Sequence, residues 1–277
     1  MRRLAIAASL MATAAGCGSS ARSTGASNAS GPTGENQDVL VAAGAGVGLL
    51  GCWDAKTGGV VDDASCVAAM TDAPTLAVAD GATVQAGAKT DVVFCEIGED
   101  PPMTVPGFAL DAERVEAGEA PAIAVYPATA KVALATWNGD QGFAMTDAQR
   151  AAAIKALLTA VPGLVDTDAR GAGTFDLDGD GKVDTLIFAS GTTPSDDLGT
   201  SHEALYADFG DGAMVELFKE TGTPAGGVRI NATLDLGSDG RTELFVSGWW
   251  NGGGRDQLVS VGRDRVVTAV GKIGCDS

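Results

Sequence analysis

The sequence predicts a mainly β protein: antiparallel four-stranded meanders, propeller-blade-like, with one packed helix at about residues 147–160. Three observations carry this expectation. Short runs rich in Val, Ala and Thr alternate with Gly-, Asp- and Asn-containing turns along most of the chain. A single segment has helical period together with a start signal and a stop signal. From residue 172 onward, a strand, an acidic loop and further strands occur twice, the two loops starting 59 residues apart.

The chain opens MRRLAIAASLMATAAGCGSS. Two arginines, an apolar run from Leu4 to Ala15 and small residues ahead of Cys17 read as a secretory signal over residues 1–16, too short for a permanent membrane span. The ending Ala14-Ala15-Gly16-Cys17 resembles the bacterial lipobox. That resemblance implies cleavage before Cys17, acylation of the new N-terminus, and a membrane partner through the lipid. The expected location is the cell envelope, at the outer membrane or a periplasm-facing membrane. Residues 17–37 then form the anchor and a Ser-, Gly- and Asn-rich tether without a large apolar side chain, a composition that cannot bury enough surface to fold.

The remainder divides into an expected β-rich domain over residues 38–165, ending in the helix, and two blade-like calcium-loop repeats over residues 166–277. In the first part, residues 76–87 contain an Asp-Gly turn between apolar stretches, a hairpin signal; 91–97, 122–126 and 131–137 read as strands, and 62–70 as a short helix carrying Cys66. Residues 145–163 form the clearest helix. Thr146 and Gln149 make a capping box, Ile154, Leu157, Leu158 and Val161 share a face, and Pro162-Gly163 stops the turn.

Loss of residues 1–16 removes Arg2 and Arg3 and no acid, leaving 16 basic against 36 acidic residues and a formal charge of −20. Such a surface repels nucleic acid and anionic lipid and suits cations. Four cysteines remain after Cys17, an even number in an exported chain, and suggest two disulfides. The expected pairs are Cys52–Cys66, which closes a short loop, and Cys95–Cys275, which ties the C-terminus to the first half; two other connectivities are open. No Cys-x-x-Cys spacing supports zinc.

The first acidic loop, DLDGDGKVD, places Asp176, Asp178, Asp180 and Asp184 within nine residues. Unshielded, these charges repel. Alternation with Leu177 and Gly179 lets the carboxylates converge, the Lys182 carbonyl adds an oxygen and Asp184 closes the shell, a hard-oxygen set suited to calcium. The opening D-x-D-x-D-G is shared with EF-hands, but the twelfth residue is Ile187 rather than Glu and the flanks read as strands. The pattern Asp176, Asp178, Asp180, Gly181, Asp184 followed by Leu186-Ile187-Phe188 resembles the FG-GAP or VCBS-type repeats of integrin α-subunit propellers, over about 100 residues. The resemblance implies a structural calcium held between adjacent strands of a blade. In the second loop, Asp235, Asp239 and Glu243 take the first, fifth and ninth places and Gly237 replaces the acid at the third place, so weaker binding or none is expected there.

Other signals point to little. Gly46-Val-Gly48-Leu-Leu-Gly51 fits a dinucleotide fingerprint but is not followed by a helix, so no nucleotide is expected. His202, the one histidine, reads as a residue of a polar loop, and no G-x-S-x-G or H-E-x-x-H stretch is present. Trp249 and Trp250 end a strand, one facing inward and the other outward, where an exposed indole is a possible ligand contact and can stack on a sugar. The expected function is an exported, lipid-anchored, calcium-binding surface or periplasmic module without catalysis, recognising a glycan or protein; an exported hydrolase and a purely structural envelope lipoprotein are the alternatives.

Overall fold

A computed structural model describes residues 39–43, 48–62, 66–67, 70–78, 82–95, 103–109, 123–129, 132–136, 143–194, 199–223, 226–251 and 253–275. The expected signal, Cys17 and the tether lie outside the described residues, as do most of the short helix expected at 62–70 and the Asp-Gly tip of the first hairpin. The molecule is mainly β, with antiparallel sheets and one long helix, and no sheet closes into a barrel among the described residues. No helix among those residues is long and apolar enough to cross a membrane.

The first sheet takes strands from the N-terminal half: β1 (Val39–Ala43), β2 (Gly48–Asp54), β3 (Gly59–Val61), β4 (Thr75–Val78), β5 (Thr83–Gln85), β6 (Lys89–Cys95), β7 (Met103–Phe108) and β8 (Ile123–Tyr126). Their order is β5-β4-β8-β1-β2-β7-β6, with β3 paired to β2. The expected hairpin is β4–β5. Gly48 and Gly51 of the dinucleotide-like run lie inside β2, which continues as strand to Asp54.

The C-terminal repeats are two four-stranded meanders. The first runs β10 (Val165–Phe175), β11 (Asp184–Thr193), β12 (Thr200–Asp208) and β13 (Met214–Gly222). The second runs β14 (Gly226–Asp235), β15 (Glu243–Trp250), β16 (Gly253–Val261) and β17 (Val267–Cys275). Their likeness extends to an irregularity. The β10–β11 register slips between Gly171 and Gly173, and the β14–β15 register slips between Ile230 and Ala232, each pair offset by the same 59 residues as the loops. A bulge repeated at one place in both units is a feature of the repeat, re-aiming each strand before its acidic loop.

The sheets stack face to face. One apolar layer, with Val41, Leu50, Trp53 and Val125 against Leu234, Phe245 and Leu258, joins the first sheet to the second meander. A second layer, with Leu186, Leu205 and Phe218 against Ile230, Val246 and Val259, joins the two meanders. Both faces of the second meander are therefore covered, which is why Leu244-Phe245-Val246 is a continuous apolar run rather than an alternating one.

Helix α1 (Asp147–Ala160) covers the outer face of the first meander, and the Thr146–Gln149 capping box is formed in both directions. Its buried side chains are Ala153 and Leu157, with Ile154 and Val161 partly covered, while Leu158 is exposed. The expected stripe is thus corrected by one position: alanine brings the helix axis close to β11 and rolls Leu158 outward. Strand β9 (Ala133–Thr136), expected to belong with the N-terminal strands, pairs instead with β14 as the edge of the second meander. The described residues, from Val39 to Cys275, fall in one compact unit.

Cys52 and Cys66 form a disulfide, as the short-loop pairing predicts. The side chains of Cys95 and Cys275 lie outside the described residues.

Candidate functional site

The first acidic loop joins β10 to β11 and closes around its own carboxylates. Asp176 Oδ1 accepts the backbone N–H of Gly179 at 2.8 Å and of Asp180 at 3.1 Å, and its Oδ2 accepts that of Gly181 at 2.9 Å. These bonds wind the chain into a tight coil, which requires positive φ at Gly179 (+73°) and Gly181 (+81°). Asp184 Oδ2 accepts the N–H of Leu177 at 2.8 Å, while the Leu177 side chain is sunk in the layer between the meanders. The apolar residue between the acids is therefore the peg that holds the loop to the core.

One carboxylate oxygen from each of Asp176, Asp178 and Asp184 lies within 4.8 Å of the others, and Asp178 and Asp184 are each only 3% exposed. Burial, with the neighbouring carboxylates adding to it, pushes the Asp184 pKa up to about 6. Two buried acids beside a third are costly without a compensating cation, and hard oxygen donors fit calcium. Asp180 turns away from this group: its two oxygens accept Lys182 N at 2.7 Å and Lys182 Nζ at 2.6 Å, and the lysine holds its pKa below the usual carboxylate range. Arg265, from the β16–β17 turn, places Nε 3.7 Å from Asp178 Oδ2, pairs with Asp211 and stacks 4.7 Å over Phe209.

The second loop, between β14 and β15, repeats the backbone of the first. Glu243 Oε2 accepts Leu236 N at 2.9 Å, Asp235 Oδ1 accepts Asp239 N at 3.1 Å, and Asp239 accepts both N (3.1 Å) and Nε (2.8 Å) of Arg241. Each bond has its counterpart 59 residues earlier. The interior differs. A Cβ on Gly237 would stand 2.6 Å from Trp53 Cζ2, so the indole occupies the space of the acid missing from the third place, the counterpart of Asp178. The Arg241 guanidinium stacks 5.1 Å over that ring and donates to Gly58 O at 3.1 Å. Asp235, Asp239 and Glu243 do not converge as the first three acids do. Glu243 is fully buried, its pKa pushed up to about 7 by burial, with Ser260 Oγ donating at 3.3 Å. The two loops touch directly, since Thr242 N donates to Asp176 O at 2.9 Å.

Sequence reasoning missed Trp53, Arg241 and Arg265. A basic residue follows the glycine in both loops, Lys182 and Arg241, and that shared position was the available signal for Arg241. Trp53, in strand β2, and Arg265, in the β16–β17 turn, are distant in sequence and left none.

His202 does not lie in a loop; it is the third residue of β12. Strand formation extends to Thr200 because β12 pairs with β11 along its whole length and with β13 from Ser201 to Asp208. Its Nδ1 meets Thr221 Oγ1 at 3.1 Å, and burial lowers its pKa. Ser201 donates to Gly226 O, whereas Glu203 accepts from Val228 N and pairs with Arg170. The three neighbours thus serve three different contacts, consistent with strand alternation.

Trp249 and Trp250 sit at the end of β15 remote from the acidic loop, six or seven residues and so about 20 Å along the strand from Glu243. Trp249 is 45% exposed and Trp250 is half-buried.

These features define a class: a stack of antiparallel meanders carrying a repeated acidic hairpin, one copy arranged to converge three carboxylates and the other filled by a stacked arginine and indole. Comparison with protein-family models, curated proteins and solved structures finds no match to the chain.

Proposed function

We propose that this protein is an exported, lipid-anchored, calcium-binding module without catalytic activity, in which the ion is structural and loop or strand ends contact a ligand. The observation that carries the reading is the convergence of Asp176, Asp178 and Asp184 oxygens within 4.8 Å, two of these acids being almost fully buried. The resemblance of DLDGDGKVD to integrin-type repeats and its place between adjacent strands of a meander support the same reading. Bound calcium would neutralise three close carboxylates more fully than the Arg265 guanidinium, 3.7 Å from Asp178, does. Asp176 orders the coil through its three backbone bonds, Asp184 ties the loop to Leu177, and Leu177 transmits that order to the core. Export and anchoring rest on the signal-like residues 1–16 and on Cys17.

Isothermal titration of the chelator-treated protein with calcium tests the reading. The expected result is one site per chain, abolished in Asp178→Asn. Absence of calcium binding at millimolar concentration rejects it.

A further inference from the structure

At the end of the second meander remote from the acidic loops, a tryptophan and a row of polar side chains share one face. Register places Gly227, Trp249 and Gly254 directly opposite one another, and Arg229, Ser247 and Asp256 opposite one another two residues further along. Residues paired in this way project from the same side of a sheet. The two rows are therefore about 7 Å apart along the strands, and members of each row about 4.8 Å apart across them.

The indole is held in place. A Cβ on Gly227 would stand 2.2 Å from Trp249 Cζ2, so the ring lies flat on the glycine backbone, and Gly254 adds no side chain on the other flank. Despite this fixed seat, Trp249 is 45% exposed. Beside it the polar row is linked into a chain: Arg229 Nε donates to Asn231 Oδ1 at 2.7 Å, Asn231 Nδ2 donates to Ser247 Oγ, and Ser247 Oγ donates to Asp256 Oδ1. Asp256 has no arginine or lysine in direct contact among the described residues, and burial raises its pKa.

We propose that Trp249 with Arg229, Asn231, Ser247 and Asp256 forms a binding site for a neutral, hydroxyl-rich pyranose chain. A flat, immobile aromatic plane matches the apolar C–H face of a sugar ring, and it costs little entropy to hold a side chain that packing has already fixed. Donors and acceptors alternating at the spacing of adjacent strands match hydroxyls on opposite sides of a pyranose. The strongly acidic chain, 36 acids against 18 basic residues, disfavours polyanions, which selects neutral glycans over uronic-acid or sulfated ones. This gives a ligand class to the binding role proposed above, and it does not depend on the calcium loop, which lies at the other end of the strands.

The test is tryptophan fluorescence titration of the purified chain with cellotetraose, maltotetraose and chitotetraose, together with retention on cellulose, amylose and chitin resins. At least one oligosaccharide is expected to shift the emission saturably. Trp249→Ala should weaken that ligand more than tenfold, Trp249→Phe should recover part of the loss, and Trp250→Ala, on the opposite face, should bind like the parent. Asp256→Asn should weaken it several-fold at an unchanged melting temperature. No binding to any of the three glycans by the parent, or equal binding by Trp249→Ala, overturns the proposal. Calcium titration of the same preparations separates the two readings: Trp249→Ala should still take up one ion, and Asp178→Asn should still bind the oligosaccharide.

Discussion

The guanidinium of Arg241 lies 5.1 Å over the indole of Trp53, and this stacked pair fills the part of the second acidic loop where the first carries the Asp178 carboxylate. One loop geometry is thus stabilised in two ways. In the first, three acids converge; in the second, an internal cation and an aromatic ring from β2 take up the space and the charge. Cation–π contacts of this kind contribute about 0.5–2 kcal/mol.

Restoring the missing acid should therefore fail to create a second calcium site. Gly237→Asp drives its Cβ to within 2.6 Å of Trp53 Cζ2. Overpacking of that kind costs about 1–3 kcal/mol. Titration should still give one calcium per chain, with a lower melting temperature; a stoichiometry of two would contradict the plug.

Calcium should stabilise the parent and not a variant that has lost the converging acids. With free calcium at a hundred times its dissociation constant, linkage gives about 2.7 kcal/mol, or roughly 5–10 °C for a domain of this size. Asp178→Ala combined with Asp184→Ala should melt at the same temperature with calcium and with chelator. Equal melting of the parent under both conditions would count against a structural ion.

The buried acids set the pH response of the calcium-free protein. Glu243 goes from an ordinary 4.5 to about 7 on folding, and Asp184 from 3.8 to about 6. Folded pKa values above the unfolded ones mean stability that is complete below about pH 4 and is lost as pH rises through 6 to 7. For Glu243 alone the loss is on the order of 3 kcal/mol. In chelator, the melting temperature should fall from pH 5 to pH 8. Glu243→Gln keeps an acceptor for Leu236 N without the charge, so it should flatten that fall and raise stability at pH 8. A steeper fall in the variant would refute the assignment.

Reduction of Cys52–Cys66, or its replacement by serines, should cost about 3 kcal/mol, the value for a loop near 15 residues; the sequence separation here is 14. Chemical denaturation with and without reductant measures this directly. An unchanged midpoint would show that the bond constrains little in the unfolded chain.

Cys17→Ser should release the protein from membranes into the soluble fraction of its cells, since one acylated residue is the expected anchor. Fractionation and immunoblotting decide it. Continued sedimentation with membranes would locate the attachment elsewhere.

The acidic loop was legible because its information is local. Carboxylate spacing, two glycines and a following apolar strand lie within a dozen residues, and the coil they form is closed by bonds within that stretch. The capping box of α1 was legible for the same reason. The exposed place of Leu158 was not, because helical period marks a face while the neighbouring β11 decides how far that face rolls. The location of His202 in β12 followed from pairing with two strands, one of them beyond residue 213.

By itself, the sequence determined the mainly β class, the two meanders with their 59-residue offset, the helix and the group of acids near residue 180. Tertiary structure alone decided that β9 completes the second meander, that Trp53 and Arg241 fill the second loop, and that Trp249 rests on Gly227 beside Asp256. The physical reason is range. Turn geometry and charge spacing act over a few residues, whereas sheet partners and the filling of a gap depend on side chains brought together from separate strands, as far apart in sequence as Trp53 and Arg241.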